Sequence, residues 1–441
     1  MKNKTTLLVS AILTLLIGNA SAKEVVIVTS FPKELFETYK KTFEANHPGI
    51  TVVINAKQTN AGVTYLRETK AKPEADIFWV SAPDAFQTLE ADGLLEKYAP
   101  PKEIMAKIPA KIGNFPIHDP DGKYFGFAIS GYGLMWNKNY LKAHKLPAPK
   151  EWTDLTHPRY YNHLIISAPS RSGTTHLTVE TILQAYGWEK GWALLLNAGG
   201  NMGSITERSF GVPEAVISGQ YGIGVVIDFF GLSAIASGQP VEFAYPSLTS
   251  VVPASVGIVK GGPNPQEARM FVNYLLSEAG QMVLFAPEIA RLPVIPELYA
   301  KAPKDYPNPF KKKLGGVEFN DELSSGRRDV VNSLYDHIIT FRHNELRDAW
   351  KSIYKAEEAL AKAKSAPITN TAQAKSLIAD ARKLASQPPI DDKRASEKEV
   401  TGAFKSKSGL KAQLETEWEV FAKSNYAKAK ELADKAGALA K

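Results

Sequence analysis

Along the first two-thirds of the chain, β-branched apolar runs alternate with segments whose apolar positions recur every three or four residues. The run VVIVTS between Glu24 and Phe31 has the composition of a buried strand. Pro32 then opens a helix with Leu35, Tyr39 and Phe43 on one face, and His47-Pro48-Gly49 ends it. A second strand is expected over 50–54, a helix over 62–70, a third strand over 76–80, and a helix from Pro83. This β-α-β-α rhythm predicts a parallel sheet with helices on both faces. Residues 125–136 read as extended, with Gly126, Gly131 and Gly133 permitting bends. The rhythm then resumes: a strand at Leu164-Ile165-Ile166, a helix over 175–186, a short helix over 212–218 and a strand over 221–227. A further strand over 256–260, the turn Gly261-Gly262-Pro263-Asn264-Pro265 and a helix over 267–276 follow.

Beyond about Asn320 the pattern changes. Val331, Leu334, Ile338, Phe341, Trp350 and Ile353 recur at helical spacing, predicting one helix over 327–363 that Pro367 stops. Residues 372–384 and 397–439 read as two more helices, divided by Pro388-Pro389. Ala and Lys dominate this extension, which could pack on the preceding domain, bind a partner or fray.

The amino-terminal stretch sets the compartment. Lys2 and Lys4, the apolar run 7–17 and the small residues Ala20-Ser21-Ala22 have the layout of a secretory signal peptide, 1–22. The run is shorter than the ~20 apolar residues that span a bilayer. There is no Cys, hence no disulfide framework and no cysteine to carry a lipid. The expectation is a soluble exported protein of a bacterial periplasm. The net charge of +7 suits an anionic ligand or an acidic surface, or is simply dispersed, since many Lys lie in the helical extension. Export argues against nucleic acid as a partner. The remaining chain is too long for one core, so two or three domains are expected.

In an open α/β sheet, ligands bind beyond the carboxyl ends of the strands, beside helix N-termini. That rule selects Thr29-Ser30, Ser81, Ser170-Arg171-Ser172-Gly173-Thr174-Thr175, Thr206-Glu207-Arg208-Ser209 and Asp228. The third of these is the richest. A first helical turn leaves backbone N–H groups without partners, and the macrodipole makes that end partly positive. Gly173 would let a ligand approach the backbone, the hydroxyls add donors, and Arg171 adds a fork suited to phosphate or carboxylate. Together they predict an anion cradle. The plainer reading is that Ser172 or Thr174 caps the helix while Arg171 is solvated. The Arg208-Ser209 pair before the next helix favours the cradle, because two such ends could face each other.

Other signals are weaker. His176 and Glu180 have metal-ligand spacing but no third ligand nearby, and read as a helix-face pair. Tyr160-Tyr161 could supply iron-binding phenolates or pack behind Pro158. Phe229-Phe230 reads as apolar wall or core. The chain has no G-x-S-x-G elbow, P-loop or H-E-x-x-H motif, so neither an enzyme nor a cofactor is expected.

Several longer motifs carry a resemblance. DLTHPRY (154–160), PSRSGTTH (169–176), EKGW (189–192), SGQYGIG (218–224) and KGGPNPQEA (260–268) are similar to the family 1 extracellular solute-binding proteins of ABC importers. The likeness is to the branch of ferric-ion, phosphonate and organophosphate binders, and covers about 23–320. It implies an α/β, two-lobed type II periplasmic binding fold with a ligand cleft between the lobes, docking onto an inner-membrane ABC permease. The implied division is lobe 1 over 23–130, lobe 2 over 131–254, a return to lobe 1 over 255–320, and a helical extension over 321–441. Ferric binders carry a Tyr-Tyr pair where this chain has Phe229 and Phe230, and a phenyl ring has no oxygen for a hard cation. Asp228-Phe229-Phe230 together with Thr206-Glu207-Arg208-Ser209 looks most like the phosphoglycerate or hexose-phosphate type, whose members can also feed a sensor kinase system. On this resemblance the ligand is a small anionic solute. Ser30, Ser81, Arg171, Ser172, Gly173, Thr174 and Thr175 would hold its phosphate, and Arg208 would add charge from the facing segment. Asp228 would accept from ligand hydroxyls, and Phe229 and Phe230 would exclude water. The lobes would close about 129–131 and 254–257. The alternatives are a ferric-ion binder of the same fold, with Tyr160 and Tyr161 as ligands, and a sensing subunit that works through its helical extension.

Overall fold

The computed structural model describes residues 23–113, 115–363, 368–406 and 408–440; the segment read as a signal peptide, and Pro367, lie outside them. Lys23–Thr29 pairs in parallel with Ile50–Ala56 on one side and Ile77–Val80 on the other. Parallel neighbours need a crossover, and the helices Lys33–Asn46 and Thr59–Glu68 supply it. The first helix buries Leu35, Tyr39 and Phe43, the face its sequence marks. Gly49 takes φ +90°, which lets the chain reverse directly into the next strand.

From one edge, the long sheet runs Ile50–Ala56, Lys23–Thr29, Ile77–Val80, Val251–Ile258, Phe125–Asn137, Ile223–Ile227, Leu164–Ser167, Met202–Thr206. Phe125–Asn137 is buried along its whole length. Its first half pairs with Val251–Ile258 and its second half with Ile223–Ile227, so one strand carries the chain from lobe to lobe. The ladder between the two long strands slips between Ala254 and Ser255, a bulge that bends the sheet inside the expected crossover. Type II periplasmic binding architecture follows from this pattern: two α/β halves joined through long antiparallel strands, with a helical region behind them.

Three helical expectations are corrected. The single helix over 327–363 is instead Asp321–Tyr335, a π-helical turn Asp336–Thr340, and His343–Lys362. The extra residue in a π turn shifts the apolar face; Ile338 and Ile339 are both buried, and Phe341 is left 53% exposed. The expected helix over 397–439 is broken into Lys398–Ser406 and Gly409–Leu439. The helix over 62–70 begins earlier, at Thr59. Two further helices, Trp188–Asn201 and Asp228–Ala236, had no clear sequence signal. The first contains Gly191, Gly199 and Gly200, poor helix formers whose cost packing overrides. Leu346 and Ile339 close on Gly199, and the Trp350 ring fills the space a side chain at Gly200 would need. Trp188 Nε1 donates to the Ile390 carbonyl at 2.8 Å, a second tie to the extension. The described residues of the extension are therefore packed on the preceding domain, along the second lobe and, through Asp321–Tyr335, against the helix Pro83–Ala91 of the first. Among the described residues no helix is long and apolar enough to cross a membrane.

Candidate functional site

The carboxyl ends of strands from both lobes converge on one cleft. From the first lobe come Ser30, Phe31, Gln58, Thr59 and Ser81; from the second come Arg171, Ser172, Gly173, Thr174, Arg208, Phe210, Phe229 and Phe230. The faces are nearly in contact. Ser81 Oγ lies 3.2 Å from Thr174 Oγ1, Asn60 Nδ2 donates to the Ser170 carbonyl at 3.0 Å, and Gln58 Nε2 to the Glu207 carbonyl at 3.3 Å. Gly173 permits this approach: a Cβ there would stand 2.8 Å from Thr59 Oγ1 and 2.9 Å from Ala82 Cβ. The enclosed space is ≈ 20 Å³, about that of one water, so a larger ligand enters only as the faces part.

Gly173–Tyr186 aims its N-terminus into the cleft. Ser172 caps that helix by accepting from Thr175 N at 3.1 Å, as the plainer reading had it. The N–H groups of Gly173 and Thr174 belong to the first turn, outside the intrahelical ladder, and both residues line the cleft. Arg171 is partly exposed and ion-paired to the exposed Glu207 at 2.9 Å. The Arg208 guanidinium lies 5.1 Å from the Phe210 ring centroid, and burial lowers its pKa. Thr175 and Asp228 do not line this space.

Asp228 is buried where the two lobes join. Its Oδ2 accepts from Gly131 N at 2.8 Å and Tyr245 OH at 2.9 Å, and Oδ1 accepts from Phe229 N at 2.8 Å. Burial pushes its pKa up to about 6 against the pull of those bonds. Beside it sits Arg291, which the sequence reading missed. The Arg291 guanidinium carbon lies 3.3 Å from the Phe229 ring centroid and 4.6 Å from that of Phe31. Burial lowers its pKa to about 9, with Asp228 favouring its charge. Arg291 lines a second cavity of ≈ 410 Å³ that shares Pro32, Phe210, Phe229 and Phe230 with the first.

Behind the cradle, His176 and Glu180 do not form a pair with each other. His176 Nε2 lies 3.0 Å from Asp84 Oδ2, and its Nδ1 2.8 Å from Asn332 Oδ1. Glu180 takes a two-pronged bond from Arg327 at 2.9 and 3.0 Å. The neighbouring Arg328 reaches Asp84 and donates twice to Asn60 Oδ1, at 3.0 and 2.9 Å. Burial alone would raise Asp84; Arg328 and His176 outweigh it and hold its carboxyl well below the usual range. One helix of the extension, Asp321–Tyr335, thereby holds acids of both lobes. Tyr160 donates to the Pro147 carbonyl at 2.8 Å and the Tyr161 ring packs near Tyr354, so neither lines the cleft. Among the described residues no three His, Asp or Glu side chains are grouped for a metal.

The missed cleft residues differ in how visible they were. Gln58 and Thr59 follow the strand ending at Ala56, so the strand-end rule would have found them had the helix been started at Thr59. Arg291 precedes a two-residue strand, Leu292–Pro293, and carries no local signal.

Residues 72–318 match the family described as bacterial extracellular solute-binding protein. Over 407 residues the chain is 29% identical to the phosphoglycerate transport regulatory protein of Salmonella typhimurium, covering 92% of this chain and 96% of that protein. That match is long enough to run into the helical extension. Among solved structures, the periplasmic binding protein AfuA of Actinobacillus pleuropneumoniae, with fructose-6-phosphate bound, superposes with a TM-score of 0.64 at 20% identity, covering 73% of this chain and 99% of that one. Iron-bound HitA of Pseudomonas aeruginosa gives 0.59 at 18%, covering 70% and 98%.

Proposed function

We propose, from the premise that the chain belongs to the bacterial extracellular solute-binding protein family, that it is the periplasmic component of an ABC importer and captures a small organophosphate between its lobes. The observation that carries the ligand class is the cradle. A helix N-terminus with Gly173 and Thr174, flanked by Arg171 and Arg208, faces Ser30 and Ser81 across a space that closes on contact. Neutral donors, a helix dipole and two guanidiniums are the chemistry of phosphate recognition. A ferric ion would instead want oxyanions, and the cleft offers Phe229 and Phe230 at that position. The likeness to a phosphoglycerate transport regulatory protein over nearly the whole chain points the same way.

In this reading lobe 1 comprises 23–130 with 255–320, lobe 2 comprises 131–254, and 321–441 is the extension. The lobes bend along the paired strands 126–131 and 251–255, which carry the Ala254/Ser255 bulge opposite 126–128 and, further along, the Gly131 bond to Asp228. The closed binder docks onto an inner-membrane permease, and the extension is the surface available to a sensor partner.

Two measurements test the reading. Native mass spectrometry of protein taken from its host compartment should show a bound phosphate ester and a colourless sample; a visible phenolate–iron band would refute it. Calorimetric titration of Arg171→Ala should show phosphate-ester binding weakened by about 1.5–3 kcal/mol, the worth of a charged hydrogen bond. No loss would remove Arg171 from the site.

A further inference from the structure

Arg291 is a buried cation left without hydrogen bonds. Its side chain is 1% exposed, and Nε, Nη1 and Nη2 have no partner among the described residues. Burying a charge without hydrogen bonds costs several kcal/mol unless something compensates it. Asp228 is near enough to favour the charge, yet its bonds go to Gly131, Phe229 and Tyr245. Glu34 and Glu288 stand at the exposed mouth of the same cavity and make no bond to Arg291.

The surroundings dictate what could complete it. Phe229 and Phe31 pack against the planar guanidinium, its carbon 3.3 and 4.6 Å from their ring centroids. The N–H groups all point within that plane, so only the edge can receive a ligand. A fixed, edge-on fork fits a planar carboxylate with two parallel bonds. Phe31 and Phe229 also line the cradle, so the fork and the phosphate site share the same rings. Phosphate is already provided for by the helix end and the hydroxyls.

We propose that Arg291 receives a carboxylate of the same molecule whose phosphate enters the cradle, so the solute is a small acid bearing both groups and not a sugar phosphate. The inference rests on the cleft being a phosphate-ester site.

The test uses three ligands titrated calorimetrically into the full chain: 3-phosphoglycerate, glycerol 3-phosphate and fructose 6-phosphate. The first two share a phosphate and a hydroxyl and differ in the carboxylate. Wild type should prefer 3-phosphoglycerate by ~10-fold or more, the scale of one charged hydrogen bond. Arg291→Gln should cut affinity for 3-phosphoglycerate far more than for glycerol 3-phosphate, bringing the two within about threefold. Arg291→Lys, which keeps the charge but not the fork, should fall between. Equal binding of the three esters by wild type overturns the proposal while leaving the phosphate reading intact. So does an equal loss for all ligands in Arg291→Gln. Failure of every ester, with inorganic phosphate also unbound, removes the phosphate reading itself. Should the variants not fold, the wild-type ligand series decides alone.

Discussion

Asp84→Asn is the perturbation with the sharpest consequence. Asp84 is fully buried and faces two basic side chains, His176 at 3.0 Å and Arg328, with Ser324 Oγ at 3.2 Å. The amide keeps the shape and removes the charge. Arg328, itself 4% exposed, is then left with only neutral acceptors, the introduced amide and the Asn60 oxygen. Breaking a buried pair by removing one partner costs about 3–5 kcal/mol, because the other charge stays buried. Removing both charges avoids that penalty. Asp84→Asn with Arg328→Met should therefore cost less than the sum of the two single changes, with a coupling of ~2 kcal/mol or more. The assay is urea unfolding followed by tryptophan fluorescence, for wild type, both single variants and the double. Because the network joins both lobes to the extension, the single variants should also split the transition. The pH dependence has a definite sign. The folded pKa of Asp84 is depressed, so its stabilisation is complete above the unfolded value of ~4 and is lost as pH falls further. The gap between wild type and Asp84→Asn should thus be widest near neutrality and narrow in acid. A gap below ~1 kcal/mol at pH 7, or strictly additive variants, would refute this account of the network.

Three further outcomes are expected. Glu207→Gln frees Arg171 from a competing carboxylate and should tighten phosphate-ester binding by about 0.2–1 kcal/mol, read by calorimetry at low salt. Gly173→Ala places a methyl against Thr59 and Ala82 and should hold the lobes apart, at about 1–3 kcal/mol of closure, seen as weaker binding and a larger scattering radius with ligand present. Asp228 has a folded pKa raised to about 6, so its contribution to stability is full below ~4 and lost as pH rises through about 6. Unfolding at stepped pH should accordingly show wild type losing stability relative to Asp228→Asn between pH 4 and 7, and a flat difference would count against the raised pKa.

The candidate site was partly legible before any fold was known. Ser30, Ser81 and Arg171 to Thr174 each follow a strand legible in the sequence, and strand ends are where such sheets place ligands, whereas Arg208 was marked by the helix it precedes and its strand, Met202–Thr206, was not foreseen. The structure brings these residues to one cleft. Thr175 falls outside the lining because its N–H is spent on the Ser172 cap, and Asp228 falls outside because it bonds the strand joining the lobes. Phe341 was misjudged because a π turn inserts a residue that no 3.6-residue periodicity can foresee.

What the sequence determined by itself is local: most of the strands, most helix starts, a cap at Ser172 or Thr174, and the hydroxyls and arginines beside helix starts. Those follow from side-chain period and from hydrogen bonds among near neighbours. Only the tertiary structure decided that Arg327 meets Glu180 147 residues away and that Arg328 meets Asp84 across 244. It alone buried Arg291 against two phenyl rings. A charged side chain on an exposed-looking helix or in a loop carries no mark of its partner. Its pairing is fixed by the burial that folding imposes, because a charge taken out of water needs compensation from whatever the fold sets beside it.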